Sequence, residues 1–537
     1  MMRRGKFFYF TLIIAMTVIM MRCFWLATGG NAARATSVVG SRRNELLLYR
    51  TKGVIYDENM ELLAGGQPCW YLIINPRDFD QENLNVILQY SKAQRSVVAE
   101  KLKKETPFVL MSEERPTAMA GVLLVKGVGR YSGVAQHLLG YLDQMGEVGL
   151  SGIEKEYDEF LELFSSSVSV RYSADALQGA IAGLGIEAEA ADELSGGVVL
   201  TLNKPLCEAL ERAMEKHVDC GAAIILDCRN GEVKALCSAP GYEEKNIADY
   251  LNSSNGELIN RALGAQTVGS VFKIIVAACA LEAGMEDFLY NCEGGIQIND
   301  WTFACHQHEG HGDVGLKEAF AQSCNSYFIA LGQLLGYERI AEMAKRFGYG
   351  EELLLSDELK SSCGNVPKND GALALANFCI GQGALTASPL HVALMTAAIA
   401  NGGVLPSPNL IKGLYLDGEL REEEAAVGTR ILSEETAEIL RQFCVYTVEE
   451  GTGQNAKPSV GSAGGKTASA QTGVIKDGTE KLNVYFTGFY PAENPRYVIT
   501  VFAEDGASGG KTCAPVFREI CNFIAENNLT DEETVVY

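Results

Sequence analysis

The chain has 537 residues, which is too long for one compact core and predicts two or three domains. Hydrophobic residues make up 47% of it and charged residues 21%, values typical of a folded globular protein rather than a disordered one. The formal net charge of −23 argues against a nucleic-acid partner, because phosphate binding needs clustered Lys and Arg, and no basic stripe or zinc-finger motif is visible.

The N-terminus has the pattern of a membrane anchor. Three basic residues among positions 1–6 precede an apolar stretch, 7–27, in which Arg22 is the only charged residue. At about 1.5 Å per residue this stretch would be roughly 31 Å long, which matches the hydrocarbon core of a bilayer. We therefore expect a cytoplasmic tail at 1–6, a single transmembrane anchor at 7–27 and the rest of the chain outside the cytoplasm. A cleaved signal peptide is the alternative, because LATGGNAARA offers small residues for cleavage.

Residues 28–195 are predicted to form a pedestal domain of mixed α/β type. Short strand-like runs such as KGVIYD and WYLIIN alternate here with a charged helical stretch, AQRSVVAEKLKKE. We find no cluster of catalytic residue types in this half. Its expected role is docking or dimerisation.

From residue 196 onward the pattern changes to that of an α+β domain. The strand-like GGVVLTL precedes an amphipathic helical segment, KPLCEALERAMEKH, and then two apolar strands joined around Asn230 and Gly231. A second hairpin, NVYFTGFYPAENPRYVITVFAE, lies close to the C-terminus and is followed by the helical segment APVFREICNFIAEN. Mostly helical patterns lie between the hairpins. The region 196–537 therefore predicts an antiparallel sheet built from both ends of the domain, with a helical insert.

Fifteen cysteines are scattered through the chain. Their number is odd and their spacing irregular, so no disulfide framework can be read from them. We expect most of them to be buried apolar residues, with one or two bridged pairs as the alternative.

Ser270 and Lys273 open an apolar helical run that ends near Gly284, and their spacing puts both side chains on one helix face. A serine hydroxyl is a good nucleophile only when a neighbour removes its proton. A lysine can do so only when neutral, which requires burial and a positive neighbour to lower its pKa from about 10.4 toward neutrality. The Ser-x-x-Lys motif by itself is weak evidence for an active site, because Ser508 and Lys511 repeat the same spacing in a glycine-rich segment.

Two further short motifs follow in order along the chain. The first is SCN, with Ser323 and Asn325, and the second is GGKTASAQTG, with Lys466. Each is weak by itself, since Ser-x-Asn recurs at Ser253 and Ser407. Their order and wide separation are more specific, and Lys466 could supply the positive charge near the first lysine.

Together the three motifs resemble those of penicillin-binding proteins and serine β-lactamases. Longer segments are similar to class B penicillin-binding proteins, the membrane-anchored peptidoglycan D,D-transpeptidases. The segments that carry this resemblance include TKGVIYDENMELLA, LLGYLDQMGEVGLSGIEKEYDEFL, INRALGAQTVGSVFK, GHGDVGLKEAFAQSCNSYF and FTGFYPAENPRYVITVFAEDG. The resemblance implies a transpeptidase fold, a five-stranded antiparallel sheet flanked by helices with a helical subdomain, behind the pedestal and the anchor.

The resemblance also implies the chemistry of the first two motifs. Ser270 would attack the penultimate D-alanine carbonyl of a peptidoglycan stem peptide, with Lys273 as the base. Ser323, hydrogen-bonded between the two lysines, would relay a proton to the leaving D-alanine. Acylation of Ser270 by β-lactam antibiotics would follow from the same geometry.

Substrate binding is implied for the remaining motif residues. Asn325 would hold the substrate backbone, and Lys466, Thr467 and Ser469 would receive the substrate carboxylate. The backbone N–H groups of Ser270 and Ser469 would form an oxyanion hole.

The third motif departs from the family pattern. Ala468 stands where relatives usually have glycine, a residue often chosen where the backbone approaches a ligand closely. We therefore expect that the fit of substrate or antibiotic could be altered. Val268, which replaces the usual proline before Gly-Ser, is expected to matter little.

The segment CHQHEGHG contains Cys305 and three histidines, at 306, 308 and 311, and Cys292 lies upstream. These are metal-ligating residue types, but their spacing fits no standard zinc finger. We favour a Cys292–Cys305 disulfide or two buried thiols over a metal, and expect no cofactor. Cys324, inside the second motif, is interpreted as a small buried residue whose oxidation could disturb the site.

The expected function is peptidoglycan cross-linking during cell elongation, division or sporulation, at a bacterial cell membrane. Stem peptides and β-lactams are the expected ligands, and an integral-membrane glycosyltransferase is the expected protein partner. One alternative is a D,D-carboxypeptidase or β-lactamase, although such chains generally lack a long pedestal. Another is a catalytically weak scaffold or β-lactam receptor that activates a membrane glycosyltransferase. The intact set of motif residues argues against the scaffold.

Overall fold

The computed structural model describes residues 2–28, 43–104, 106–143, 146–173, 186–189, 196–244, 247–424, 426–476 and 478–530. Its internal contacts divide the chain into two compact units. The smaller unit comprises residues 1–51, 66–130 and 165–193, and the larger one comprises 52–65, 131–164 and 194–537. Most of the alternative cleavage segment and the predicted domain boundary at 195 lie outside the described residues.

The described strands are, in chain order, β1 Arg43–Thr51, β2 Val54–Tyr56, β3 Leu62–Ile74, β4 Phe108–Ser112, β5 Val122–Ser132, β6 Ser166–Ser173, β7 Ile186–Glu189, β8 Gly196–Leu200, β9 Gly221–Asp227, β10 Val233–Ala239, β11 Gln266–Thr267, β12 Tyr290–Cys292, β13 Gly295–Ile298, β14 Trp301–Ala304, β15 Gly312–Val314, β16 Thr386–Ala387, β17 Val404–Leu405, β18 Ile411–Leu416, β19 Glu419–Glu422, β20 Thr429–Arg430, β21 Gly464–Lys476, β22 Thr479–Tyr490 and β23 Tyr497–Glu504.

The described α-helices are α1 Met2–Thr28, α2 Leu84–Ser91, α3 Arg95–Lys103, α4 Gln136–Leu139, α5 Gly152–Glu156, α6 Asp158–Glu162, α7 Lys204–His217, α8 Ile247–Tyr250, α9 Lys273–Glu282, α10 Leu316–Ala321, α11 Asn325–Leu335, α12 Tyr337–Arg346, α13 Ala372–Cys379, α14 Pro389–Ala400, α15 Glu434–Glu449 and α16 Ala514–Glu526. Helix α1 covers the positions predicted as the anchor. Within the described residues, no helix combines the length and the apolar character that crossing a membrane requires.

The smaller unit has the mixed helix and strand content predicted for the pedestal. Its main ladder is antiparallel, with β3 pairing β4 from Trp70 opposite Ser112 to Ile74 opposite Phe108. Helices α2 and α3 contribute Ile87 and Val98 to a small apolar core that includes side chains of both strands. A separate three-stranded sheet of this unit has the order β1-β6-β7.

The larger unit contains the predicted five-stranded antiparallel sheet, in the order β10-β9-β23-β22-β21. The two hairpins seen in the sequence supply β9 with β10 and β22 with β23. Strand β9 pairs β23 from Gly221 opposite Ala503 to Asp227 opposite Tyr497, so both ends of the domain meet in one sheet. Every residue of β9 is buried, because packed elements cover both faces of the sheet, and this explains why the strand is a continuous apolar run.

Helix α14 is the most buried helix of the larger unit. All of its residues are buried, from Pro389 to Ala400, as expected for a helix that is apolar on every side. Its Thr396 hydroxyl lies 2.7 Å from the hydroxyl of Thr487 on β22, and this bond connects the helix to the sheet. Its N-terminus is capped by Ser388, whose hydroxyl accepts a hydrogen bond from a backbone N–H of the first turn.

Candidate active site

The first motif lies at the junction of a 3₁₀ turn and helix α9. Residues 269–272 form the turn, and Lys273 begins the α-helix, so the predicted helix starts one turn later than its pattern suggested. Val271 and Phe272 are fully buried and anchor the turn in the core. Ser270, between these anchors and Gly269, is only partly buried, which leaves its side chain open to solvent on one side.

Two glycine backbones meet directly behind the turn. Gly269 has a φ of +60° and donates its N–H to the carbonyl oxygen of Gly381 at 2.9 Å. A Cβ atom on Gly381 would lie 1.9 Å from the carbonyl oxygen of Gly269, and a Cβ on Gly269 would lie 2.9 Å from the Cβ of Ala470 on β21. The close packing of backbone on backbone therefore sets the position of Ser270 relative to the edge of the sheet.

We predict that Gly381→Ala displaces the turn that carries Ser270. Gly381 has a φ of +74°, so alanine costs about 1–2 kcal/mol for the left-handed backbone, and the clash with Gly269 adds about 1–3 kcal/mol. Gly336→Ala is the matched control, because Gly336 has a φ of +82° and no atom within 4 Å of the added Cβ. Urea unfolding and penicillin acylation of both variants check this. Equal losses in the two variants would contradict a specific role for the Gly269–Gly381 contact.

The Lys273 amine joins the first motif to the second. It is fully buried and donates to the carbonyl oxygen of Ser323 at 2.7 Å, to the Oδ1 of Asn325 at 2.7 Å and to the Oγ of Ser323 at 3.3 Å. The ring of Phe328 lies 5.5 Å from the same amine. The two motifs that are far apart in sequence therefore converge on one lysine, as predicted.

The predicted hydrogen bond between Ser270 and Lys273 is not formed in this structure. The Ser270 hydroxyl has no hydrogen-bond partner among the described residues, and the amine instead directs its donors at Ser323 and Asn325. An ammonium group has three donors, and acceptors on the second motif satisfy them all. The serine hydroxyl thus remains available to a ligand.

The backbone of the second motif is strained at Ser323. Its φ of +54° is in the left-handed region, which a residue with a Cβ adopts at a cost of about 1–2 kcal/mol. This conformation turns the Ser323 carbonyl toward Lys273, while helix α11 begins two residues later at Asn325. Asn325 also donates from Nδ2 to the carbonyl oxygen of Ala304 at 3.2 Å, which fixes the orientation of its amide.

The third motif lies on β21, at the edge of the five-stranded sheet. Lys466 is fully buried, its amine donates to the carbonyl oxygen of Thr467 at 3.1 Å, and it lies 5.7 Å from the centroid of the Phe320 ring. Burial, followed by the charge of Lys273, holds the pKa of Lys466 well below its ordinary value. Both amines are buried, and a positive charge on Lys273 disfavours a second positive charge on Lys466.

The cause of the pKa shift of Lys273 differs from the prediction. Burial lowers the pKa of Lys273 to about 8, whereas the charges of Cys324 and Cys305 act in the opposite direction. The sequence suggested that a positive charge on Lys466 would contribute to this shift. In the structure, burial and then the charge of Lys273 instead lower the pKa of Lys466, because both disfavour its protonated form.

Thr467 and Ser469 occupy the same strand as Lys466. The Thr467 hydroxyl lies 2.6 Å from the hydroxyl of Thr452, and Ser469 is exposed. Because side chains alternate along a strand, Ala468 points to the opposite face, where it is 97% buried in the core. Its methyl group is therefore directed into the protein, away from the face that carries Ser469.

For Cys292 and Cys305 we favoured a disulfide or two buried thiols, and the structure shows two buried free thiols. They converge with His311 and with Cys324 from the second motif, and the ligand atoms of all four side chains lie within 4.8 Å of one another. The sequence reasoning missed Cys324 as a member of this group. The signal in the sequence was a third cysteine, in the second motif, near a cysteine- and histidine-rich segment. Only the fold shows that this segment and the second motif meet.

Comparison with known proteins identifies the family. Residues 221–522, more than half of the chain, match the family model described as "Penicillin binding protein transpeptidase domain". The chain belongs to the penicillin-binding protein transpeptidase family. Its similarity to curated relatives makes it a class B penicillin-binding protein.

Two of these relatives illustrate the extent of the match. This penicillin-binding protein is 29% identical over 412 residues to Stage V sporulation protein D of Bacillus subtilis (strain 168), which covers 72% of this chain and 61% of that protein. It is 25% identical over 598 residues to Peptidoglycan D,D-transpeptidase MrdA of Acinetobacter baumannii, covering 96% of this chain and 87% of the relative. The match thus spans less than two thirds of the first protein and most of the second.

Solved structures support the fold of this penicillin-binding protein. Penicillin binding protein 3 of Mycobacterium tuberculosis, complexed with aztreonam, aligns with a TM-score of 0.64 at 24% identity, covering 90% of this chain and 97% of that chain. The complex between PBP2 and MreC of Helicobacter pylori aligns with a TM-score of 0.64 at 22% identity, covering 91% and 99%. At this level of identity the likeness establishes the fold alone.

Proposed function

We propose that this class B penicillin-binding protein is a serine-type peptidoglycan D,D-transpeptidase and a target of β-lactams. The observation that carries the proposal is the convergence of the three motifs. The Lys273 amine is hydrogen-bonded to Ser323 and Asn325, and Gly269, next to Ser270, packs against Ala470 on the strand that carries the third motif. The curated relatives named peptidoglycan D,D-transpeptidases support the choice of substrate.

Acylation begins with the Ser270 hydroxyl. Neutral Lys273 accepts the hydroxyl proton while the serine oxygen bonds to the penultimate D-alanine carbonyl carbon. The carbon–nitrogen bond to the terminal D-alanine then breaks, and the leaving amine takes a proton that passes from Lys273 through Ser323. The hydrogen bond of 3.3 Å between the Lys273 amine and the Ser323 hydroxyl supports this relay.

The substrate lies along the exposed edge of β21. On an edge strand, the backbone N–H groups that point away from the sheet have no strand partner. The N–H of Ser469 can therefore join the N–H of Ser270 in stabilising the tetrahedral oxyanion. Asn325 holds the substrate backbone. Thr467 and Lys466 bind its carboxylate, whose negative charge favours the protonated form of the lysine.

Deacylation completes the cross-link. An amine from a neighbouring stem peptide attacks the ester carbonyl, a new amide bond forms, and the bond to the Ser270 oxygen breaks. The proton released by the attacking amine returns to the serine oxygen. Water in place of the amine would give the hydrolysis reaction of a carboxypeptidase.

The proposal includes a location and a partner. It assigns the protein to a bacterial cell membrane with the catalytic domain outside the cytoplasm, on the sequence pattern of residues 1–27. An integral-membrane glycosyltransferase of wall synthesis is the proposed partner of the pedestal. Retention of the protein in carbonate-washed membranes, and its absence from the soluble fraction, would support this location.

A cross-linking assay tests the proposed activity. We expect the purified full chain to join a donor peptide ending in D-Ala-D-Ala to an amine acceptor, with release of one D-alanine, as measured by mass spectrometry. Hydrolysis of the donor without cross-linking would indicate a carboxypeptidase, and rapid turnover of penicillin would indicate a β-lactamase. Failure of penicillin to acylate the protein would instead support the scaffold hypothesis.

A further inference from the structure

Thr452 lies in the loop that follows helix α15, outside the three motifs. Its backbone N–H and its hydroxyl both donate to the carbonyl oxygen of Ala321, at 3.1 Å and 3.3 Å. The same hydroxyl lies 2.6 Å from the hydroxyl of Thr467 on β21. Ala321 is the last residue of helix α10, shortly before Ser323. One side chain therefore connects the helix that precedes the second motif with the strand that carries the third.

Hydrogen bonds and close packing hold the backbone around Thr452. The N–H groups of Gly451 and Gly453 donate to the carbonyl oxygen of Thr447, near the end of α15, at 3.1 Å and 3.0 Å. A Cβ on Gly451 would lie 2.5 Å from the carbonyl oxygen of Ala321, so the loop packs directly on helix α10. These contacts fix the position of the Thr452 side chain.

The hydrogen bonds of the two threonine hydroxyls depend on each other, because each hydroxyl has one hydrogen to donate. A carbonyl oxygen only accepts, so the 3.3 Å contact with Ala321 uses the Thr452 hydrogen, and Thr467 then donates to Thr452. In that arrangement only lone pairs of the Thr467 oxygen remain, and lone pairs repel a carboxylate. If Thr452 instead donates to Thr467, the Thr467 hydrogen is free to bind an anion.

A bound carboxylate favours the second arrangement. A hydrogen bond to an ionised acceptor is stronger than one between neutral groups, so the Thr467 hydroxyl turns toward the carboxylate. Thr452 exchanges its long contact with Ala321 for donation across the short contact with Thr467. The Ala321 oxygen keeps the N–H of Thr452 at 3.1 Å, so the exchange leaves no acceptor unpaired. Donation from Thr452 also polarises the Thr467 hydroxyl and makes it a better donor.

We propose that Thr452 is a positioning residue for recognition of the substrate carboxylate. Its hydroxyl donates to the Thr467 oxygen when substrate binds, and it thereby directs the Thr467 hydrogen at the terminal carboxylate of the donor peptide. This inference rests on the proposed function, in which Thr467 binds that carboxylate. It gives the loop after α15 a part in selecting ligands that end in a carboxylate over neutral ones.

Acylation by penicillin and by its neutral methyl ester tests the proposal, with the adduct on the purified full chain measured by mass spectrometry. Thr452→Val keeps nearly the same shape and removes the hydroxyl. It should raise the half-saturating penicillin concentration about 5- to 10-fold and change the limiting rate by less than about twofold. The methyl ester should acylate the variant and the wild type at equal rates. Thr452→Ser retains the hydroxyl and should behave as the wild type.

Two further variants separate positioning from a general effect on the fold. Thr436, in the first turn of α15, has its hydroxyl 2.8 Å from that of Ser433, and Thr436→Val should leave both acylation reactions unchanged. In a Thr467→Val background, Thr452→Val should change penicillin acylation by less than about twofold, because Thr452 acts through the Thr467 hydroxyl.

A crystal structure of the wild type acylated by penicillin keeps the test independent of variant folding. The hydroxyls of Thr452 and Thr467 should stay within about 2.8 Å, and the Thr452 hydroxyl should lie beyond about 3.5 Å from the Ala321 oxygen. The proposal would be overturned by a separated pair in that structure, by equal slowing of the penicillin and methyl ester reactions, or by an undiminished effect of Thr452→Val in the Thr467→Val background. Failure of penicillin to acylate the wild type would instead refute the proposed function, so the two can fail separately.

Discussion

Replacing Ser270 with alanine is expected to abolish covalent labelling by fluorescent penicillin and to slow cross-linking by about 10⁴-fold or more. The hydroxyl is the atom that forms the acyl bond, and no neighbouring group can replace it. It makes no hydrogen bond to any described residue, so its removal should leave the surrounding turn intact. Mass spectrometry of the intact protein after incubation with penicillin measures the adduct.

Ser508→Ala is the matched control for this experiment. Ser508 and Lys511 repeat the Ser-x-x-Lys spacing, but the Ser508 hydroxyl accepts a hydrogen bond from the backbone N–H of Lys511 at 3.2 Å and caps a turn. Its loss should cost about 1 kcal/mol of stability and leave labelling complete. Persistent labelling of Ser270→Ala would show that another residue is the nucleophile and would refute the assignment.

Replacing Lys273 with methionine is expected to slow penicillin acylation by about 10²- to 10⁴-fold, the usual contribution of a general base. Methionine has a similar length and tolerates complete burial, so the change removes the amine without creating a large cavity. The acceptors on Ser323 and Asn325 lose a donor, which costs about 1–3 kcal/mol of stability. Lys317→Met, at an exposed position, is the control and should acylate at the wild-type rate.

The same assignment predicts the pH dependence of the wild type. Burial lowers the pKa of Lys273 to about 8, so below that pH most of the lysine is protonated and cannot accept the serine proton. The acylation rate should therefore fall about tenfold per pH unit below pH 8 and level off above it. The titratable groups that act on this amine are Cys324 and Cys305, and both would raise its pKa. A Lys273→Met variant with the same pH inflection as the wild type would contradict the role of Lys273 as base.

Local sequence patterns were sufficient for the elements that frame the site. The helix predicted at KPLCEALERAMEKH is observed as Lys204–His217, because its apolar face, its Asn203 cap and its early proline all favour the same start. Both hairpins form as predicted, since alternating or continuous apolar runs around turn residues leave few other pairings. The family resemblance placed these elements in one domain, and the family model matches residues 221–522 of it.

Side-chain contacts at the site were harder to predict. The sequence indicated that Ser270 and Lys273 share a helix face, but the amine is hydrogen-bonded to the second motif instead. Helical spacing determines which residues are neighbours on a helix. It does not determine which of several acceptors receives hydrogen bonds from a flexible lysine side chain. Likewise, the position of Ala468 on the buried face follows from the register of β21, which no short motif specifies.

The amino-acid sequence by itself determined the order of the three motifs and the two hairpins of the sheet, because these are local patterns. The longer segments that resemble class B penicillin-binding proteins implied the family and the five-stranded sheet. Only the tertiary structure decided that Cys292, Cys305 and His311 meet Cys324 of the second motif, and that no disulfide joins the first two. The reason is physical. Ligand atoms a few ångströms apart come from elements whose approach depends on packing of the whole domain, and their spacing along the chain carries no period that could reveal it.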